Sequence, residues 1–219
     1  MKLSPKELLK PDDFLEFHED IHRYYDLKKK HWVPTTISAL AKDSSYFSRL
    51  LEGDDQNAKK QQLLESIERG NEVHKGVEHF YKTGETINIG KWQPWLDSFL
   101  NYPNLKGWDC VASEYRLCDR RYDIAGTLDL LLQYGDVLAL CDIKTKSPGF
   151  NKNHMEVKTQ LGGYVSLLYR NWPSLDITTC RVYWVTNEGC TSDEYSTIDC
   201  LDLYECARKI YRQKQLPLS

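Results

Sequence analysis

No run of roughly eighteen apolar residues occurs in the 219-residue chain, so it offers no segment of the kind that spans a bilayer as a helix. The opening stretch MKLSPKELLKPDDFLEF has no apolar core of a secretory signal and is too acidic for a transit peptide. These two absences place the protein, as an expectation, in the cytoplasm with no membrane partner. The seven cysteines contain no CxxC pair, which argues against a zinc ribbon. Their odd number and the missing export signal read as free thiols in a reducing compartment. An excess of positive charge is also missing, since 29 Lys and Arg face 32 Asp and Glu. That balance excludes a general polyanion binder but not a local basic groove. The candidates are Lys28–Lys30, Lys59–Lys60 and the stretch from Lys144 to Lys158, each with an ordinary solvated face as the bland alternative. There is no internal repeat, low-complexity segment or clear interdomain linker.

What is present is the composition of a globular protein, 41% hydrophobic and 28% charged, long enough for one α/β core. Residues 1–60 read as an N-terminal hairpin and helical extension, residues 61–219 as the core with a C-terminal strand and helix, the two forming one structural unit. FLEFHEDIHRYYDLKKKHWVP (14–34) reads as a hairpin, TTISALAK as a short helix, and 44–62 as a polar connection. Leu64, Ile67, Val73, Val77, Phe80 and Tyr81 recur at helical spacing to about Lys82, and WQPWLDSFLNY is a second helix. Three strands follow, DCVASEYRLC, YDIAGTLDLLL and DVLALCDIKTK, joined by short turns DRR and YGD into a meander. Then come a helix over 154–172, strands 177–186 and DEYSTID, and a closing helix. The order is αβββαβ, an α/β fold with a central mixed sheet flanked by helices.

Two aspartates interrupt the apolar runs of the meander. With Gly135–Asp136 as a two-residue hairpin loop, Tyr134 pairs with Val137 and Asp129 is expected opposite Asp142, on the same face, with Cβ atoms ~4.5–5.5 Å apart. Two like charges so placed are destabilising alone; a divalent cation between them reverses the sign, and magnesium or manganese suits carboxylate oxygens. Lys144 is expected on the same side, opposite Thr127. Glu114 falls on the preceding strand, beside the site and not level with Asp129. The bland alternative is a Lys144–Asp142 salt bridge with the rest at the surface.

GTLD (126–129), DIK (142–144) and QLGGY (160–164), in that order, with RGNEVHKGVEHF (69–80) upstream, resemble the PD-(D/E)xK nuclease superfamily in its RecB-like exonuclease branch, with an N-terminal pattern similar to phage-encoded members. These motifs span about 40% of the chain. The resemblance implies a restriction-endonuclease-like core. It implies a magnesium or manganese site of His74, Asp129, Asp142 and the main-chain carbonyl of Ile143, with Glu114 assisting. It further implies Lys144 acting on the attacking water and on the phosphate, and DNA contacts from Gln160, Tyr164, Lys158 and Lys146. The paired glycines Gly162–Gly163 are expected where the helix comes close to the sheet or to nucleic acid, and Glu78, one turn after His74, points the same way. The late cysteines lack the close pair of cluster-bearing relatives, so no iron–sulfur cluster is expected.

The reading is therefore a metal-dependent deoxyribonuclease, an exonuclease acting on single strands or duplex ends to leave 5′-phosphate and 3′-hydroxyl. No helicase motif is present, so any helicase or recombination partner is a separate chain; a homo-oligomer stays open. The alternatives are a structure-selective or nicking endonuclease, and a non-catalytic DNA-binding subunit with a relic site.

Overall fold

The computed structural model describes residues 4–43 and 56–215, with the side chains of Asp43, residues 56–60 and Gln215 left aside. The expected polar connection at 44–62 lies mostly outside the described residues, as do the side chains of Lys59 and Lys60. In chain order the elements are α1 (Pro5–Leu8), β1 (Leu15–His18), β2 (Arg23–Asp26), β3 (His31–Trp32), β4 (Thr35–Thr36), α2 (Ile37–Asp43), α3 (Gln56–Thr83) and α4 (Gln93–Leu100). Then follow β5 (Asp109–Asp119), β6 (Ile124–Tyr134), β7 (Val137–Thr145), α5 (His154–Asn171), β8 (Thr179–Thr186), β9 (Gly189–Tyr195) and α6 (Thr197–Gln215). The protein is α/β, with a mixed sheet flanked by helices.

The N-terminal region forms a three-stranded antiparallel sheet, β1–β2–β3, not a single hairpin. Its buried face carries Leu15, Tyr24 and Val33, packed on Cys118 and Ala125 of β5 and β6. Asp26, fully buried, ties it down through Arg120, whose Nε lies 2.8 Å from Asp26 Oδ2. The Thr35–Thr36 pair, expected to open a helix, instead forms β4 and pairs in parallel with Ile124 and Ala125. The N-terminal residues thus lend the main sheet one short strand, β4.

That sheet runs β4–β6–β7–β8–β9, with β5 on the other edge of β6. The β5–β6–β7 meander is as expected. α5 carries the chain from β7 to the parallel β8, the crossover that parallel neighbours require. β8 and β9 then form a tight hairpin, closing at Thr186 and Gly189. β9 therefore starts earlier than expected, and Ser196 ends it by accepting the Asp199 amide at the start of α6.

The two faces bury separate cores. Leu128, Leu131, Leu138, Leu140 and Val182 pack under α2, α5 and α6. Leu130, Leu132, Ala139, Cys141, Ile143 and Val185 pack under α3 and α4. Along β7 these sets alternate with the period of a strand. Along β6 the alternation slips by one residue at Asp129, since Leu128 lies in one core and Leu130 in the other.

The paired glycines of α5 do allow close approach, but to other helices and not to the sheet or to nucleic acid. A Cβ on Gly162 would lie 1.9 Å from the Cys200 carbonyl oxygen of α6, and one on Gly163 2.7 Å from Ile37 Cγ2 of α2. Alanine would favour the helix by about 1 kcal/mol, yet Gly162→Ala would force two backbones apart. We expect a net loss of about 1–3 kcal/mol, read as a lower denaturant midpoint at unchanged slope. A midpoint at or above that of the wild type would mean that α6 does not hold α5 at this spacing.

Candidate metal centre

The site lies where β6 and β7 part. Their pairing runs from Tyr134–Val137, as the two-residue loop requires, to Leu130–Cys141. It stops one rung short of Asp129. Beyond that point β5 still covers one edge of β6, so β4 occupies the edge that β7 has left. In place of the next ladder bond, the Ile143 amide donates to Asp129 Oδ2 at 2.6 Å. A buried N–H that loses its strand partner must find another acceptor, and a carboxylate is a strong one.

The fork overturns part of the expected register. Asp129 and Asp142 are not ladder partners, because the pairing ends before them. Asp142 and Lys144 follow the alternation of Leu138 and Leu140 and face α5; Asp129 comes within 3.7 Å of His74 on α3 while its charge is still felt by Lys144 and by Tyr164 of α5. Lys144 does not reach a rung opposite Thr127; its Nζ donates to Asp142 Oδ1 at 3.0 Å and to Gln160 Oε1 at 2.9 Å.

Glu114 is level with Asp129 after all. The β5–β6 connection is a four-residue turn, because Asp119 pairs with Ile124 and its carboxylate accepts the amides of Arg121 and Tyr122. The register on either side, Ser113–Leu130 and Tyr115–Leu128, sets Glu114 against Asp129. Its φ of 45° lies in the left-handed region, a conformation that costs about 1–3 kcal/mol and that clusters at functional sites.

His74 on α3 completes the group. One ligand atom each from His74, Glu114 and Asp129 lie within 4.8 Å of one another. His74 Nδ1 is 2.8 Å from Glu114 Oε1 and 3.7 Å from Asp129 Oδ1, while Nε2 is 3.2 Å from the Ile143 carbonyl oxygen. With acceptors at both nitrogens, the ring is an imidazolium donating from each. Burial alone would depress its pKa, but the carboxylates of Asp129 and Glu114 outweigh that and push it up to about 10. Burial pushes the Asp129 carboxyl up from its usual range, against the pull of His74.

The donor set fits a small divalent cation. One imidazole and two carboxylates from three elements converge, with the Ile143 carbonyl beside them. Asp142 stands outside that trio. Its buried Oδ2 lies 3.0 Å from Lys144 Nζ but has no hydrogen-bond partner. Oδ2 is thus a spare acceptor at the edge of the fork. The Lys144–Asp142 salt bridge of the bland alternative is thus present, beside the cluster of His74, Glu114 and Asp129. Glu78 is not part of the centre; it turns to Lys82.

The remaining expected residues divide. Gln160 and Tyr164 are buried, at 7% and 3% exposure, and Gln160 Nε2 donates to the Tyr164 hydroxyl at 3.1 Å. Their polar atoms thus face Lys144 and each other, not an outer surface. Tyr164 fits because Gly126 has no side chain; a Cβ there would lie 2.7 Å from Tyr164 Cε1. Lys158, on another side of α5, stacks over Tyr195. Lys146 follows Lys144 at the end of β7, and burial followed by the Lys144 charge lowers its pKa.

Two neighbours escaped the sequence reading. Arg69, buried on α3, donates to the Thr145 carbonyl and stacks on Trp92 and Trp95. Tyr24 of β2 shares a 2.7 Å hydrogen bond with Thr127, and burial pushes its phenol up to about 12. Arg69 directly precedes Gly70 of the upstream motif, the one signal that could have drawn attention to it. Tyr24 had none, since its partner is 103 residues away.

No family model and no curated protein matches the chain. A solved structure titled "Crystal structure of SSO0001" resembles it with a TM-score of 0.42 at 15% sequence identity, covering 80% of this chain and 74% of that one.

Ligation requires the neutral imidazole, so a metal ion must displace the proton that His74 holds to about pH 10. Between about pH 7, where Asp129 gives up its own proton, and about pH 10, binding should release about one proton, and affinity should rise up to tenfold per pH unit. Calorimetric titration with manganese in buffers of different ionisation enthalpy measures both. An affinity independent of pH would remove His74 from the ligand set. His74→Ala should bind the ion more weakly and lose this dependence.

Proposed function

We propose that the protein is a divalent-metal-dependent deoxyribonuclease with a restriction-endonuclease-like core, an exonuclease acting at DNA ends. The observation that carries the reading is the meeting of His74, Glu114 and Asp129, from α3, β5 and β6, within 4.8 Å, beside a lysine held by Asp142 and Gln160. The order of these residues along the chain is that of the family it resembles. Magnesium or manganese held by His74, Asp129 and Glu114, with Asp142 Oδ2 and the Ile143 carbonyl at hand, would supply a polarised phosphate and a more acidic bound water.

The protein's own groups divide the remaining work. Burial opposes the charge on Lys144, but Asp142 and Asp129 raise its pKa. Lys144 would act on the attacking water and offset charge that builds on the phosphate oxygens. Gln160 and Tyr164 act as positioning residues, holding Lys144 through the hydrogen bonds described. Lys146 and Arg69, flanking the end of β7, add positive potential where a phosphate backbone enters.

An endonuclease would use the same groups, and a relic DNA-binding subunit would bind without cutting. Incubation with magnesium or manganese, using linear duplex, single strand and covalently closed circle, separates the three. The exonuclease degrades only molecules with ends, an endonuclease opens the circle, and a binding subunit cleaves none. Lys144→Ala should lose about 10²–10³ of the rate while retaining metal binding. Near wild-type turnover in that variant would remove the lysine from the chemistry.

A further inference from the structure

Four arginines surround one tyrosine on the flank of the sheet, away from the metal ligands. Tyr122 lies in the turn between β5 and β6. The guanidinium carbons of Arg121, Arg170, Arg208 and Arg212 sit 5.5, 4.7, 4.5 and 5.3 Å from its ring centroid. Arg121 belongs to the same turn, Arg170 to the end of α5, and Arg208 and Arg212 to α6. Two carboxylates face them. Asp119 Oδ2 is 2.8 Å from Arg170 Nε, and Glu205 pairs with Arg208.

Arg121 and Arg212 are exposed, and among the described residues no ion pair joins either to a carboxylate. Arg208 is buried, and its Nη1 has no hydrogen-bond acceptor. The ring face partly offsets the repulsion among the four cations, but the cluster keeps more donors and more positive charge than the protein around it answers. This happens in a chain whose net charge is −3, so it is not the overflow of a basic surface.

We infer that this arginine cluster is a phosphate-binding site that grips the DNA backbone away from the cleavage centre. Guanidinium groups match phosphate oxygens in bidentate geometry, and a set of them around one point suits successive phosphates better than a single carboxylate. The turn feeds directly into β6, and Asp129 lies five residues beyond Ile124. That is roughly 17 Å of extended strand, or about five phosphate steps along one strand of a duplex. The inference rests on the nuclease reading for the identity of the polyanion.

The test measures binding and needs no cleavage. Fluorescent single-stranded and duplex DNA are titrated in chelator at salt concentrations from about 50 to 200 mM. The proteins are the wild type, Arg121→Ala/Arg212→Ala, and Arg121→Lys/Arg212→Lys. Both positions are exposed, and a melting curve checks that each variant is folded. The alanine pair should bind at least tenfold more weakly at low salt. Its slope of log affinity against log salt should fall by about 1.4 to 1.8, while the lysine pair keeps most of the slope. Unchanged affinity and slope in a folded alanine pair would overturn the inference. So would stabilisation of the wild type alone by inorganic phosphate with DNA binding unaltered, which would mark a small-phosphate site instead. If the wild type binds DNA through these arginines but cuts none, the nuclease reading fails and the site stands. If it cuts and the alanine pair binds equally well, the site fails and the nuclease reading stands.

Discussion

The hydrogen bond from the Ile143 amide to the Asp129 carboxylate organises the candidate centre. It occurs where two strands that should keep pairing separate, and it satisfies a backbone donor that the separation would leave unpaired. Everything else at the site follows from the parting. β4 enters the edge that β7 gives up. The side-chain alternation of β6 slips at Asp129. Asp142 and Lys144 continue on the α5 side, and Asp129, held by the Ile143 amide, also meets Glu114 and His74.

The charges of the group are balanced in part by the chain's own cations. Three carboxylates, Glu114, Asp129 and Asp142, converge in a largely buried region where unpaired like charges would be costly. His74, as an imidazolium, bonds Glu114 and the Ile143 carbonyl, and Lys144 bonds Asp142. The two cations each feel more than one of the three carboxylates. The proton on His74 therefore occupies the role that a metal ion would take, and the same carboxylates that would hold the ion hold the proton. Metal affinity and proton affinity would therefore be coupled.

The supporting shell is built from close approaches. Gly162 lets α6 lie against α5, Gly163 admits Ile37 of α2, and Gly126 leaves room for Tyr164. These contacts fix α5 over the fork and with it Gln160, which holds Lys144. The long-range ties of the N-terminal sheet, Asp26 to Arg120 and Tyr24 to Thr127, brace the other side of β6. The Lys144 ammonium is thereby held from two directions, by Asp142 and Gln160.

Much of this was legible in the chain, and the limit is physical. Period two in residues 124–145, helical spacing in 61–82 and the Gly135–Asp136 loop follow from short-range sterics and hydrophobic patterning, so the meander, its hairpin register and the α/β class could be read directly. Charged residues at 114, 129, 142 and 144 stood out because they interrupt apolar strands, whereas His74 was singled out by the resemblance to the RecB-like branch. The face that each side chain takes could not be read. A slip of one residue at Asp129 and the left-handed φ at Glu114 reassign the ligands. Both lie where segments distant in sequence meet β6, β4 on the edge beyond the end of β7 and β5 on the other. The sequence alone determined the strands and the chemical groups they carry; only tertiary packing decided where the ladder ends, and so which groups meet, because a strand pair breaks where a third element can satisfy its backbone and fill its space.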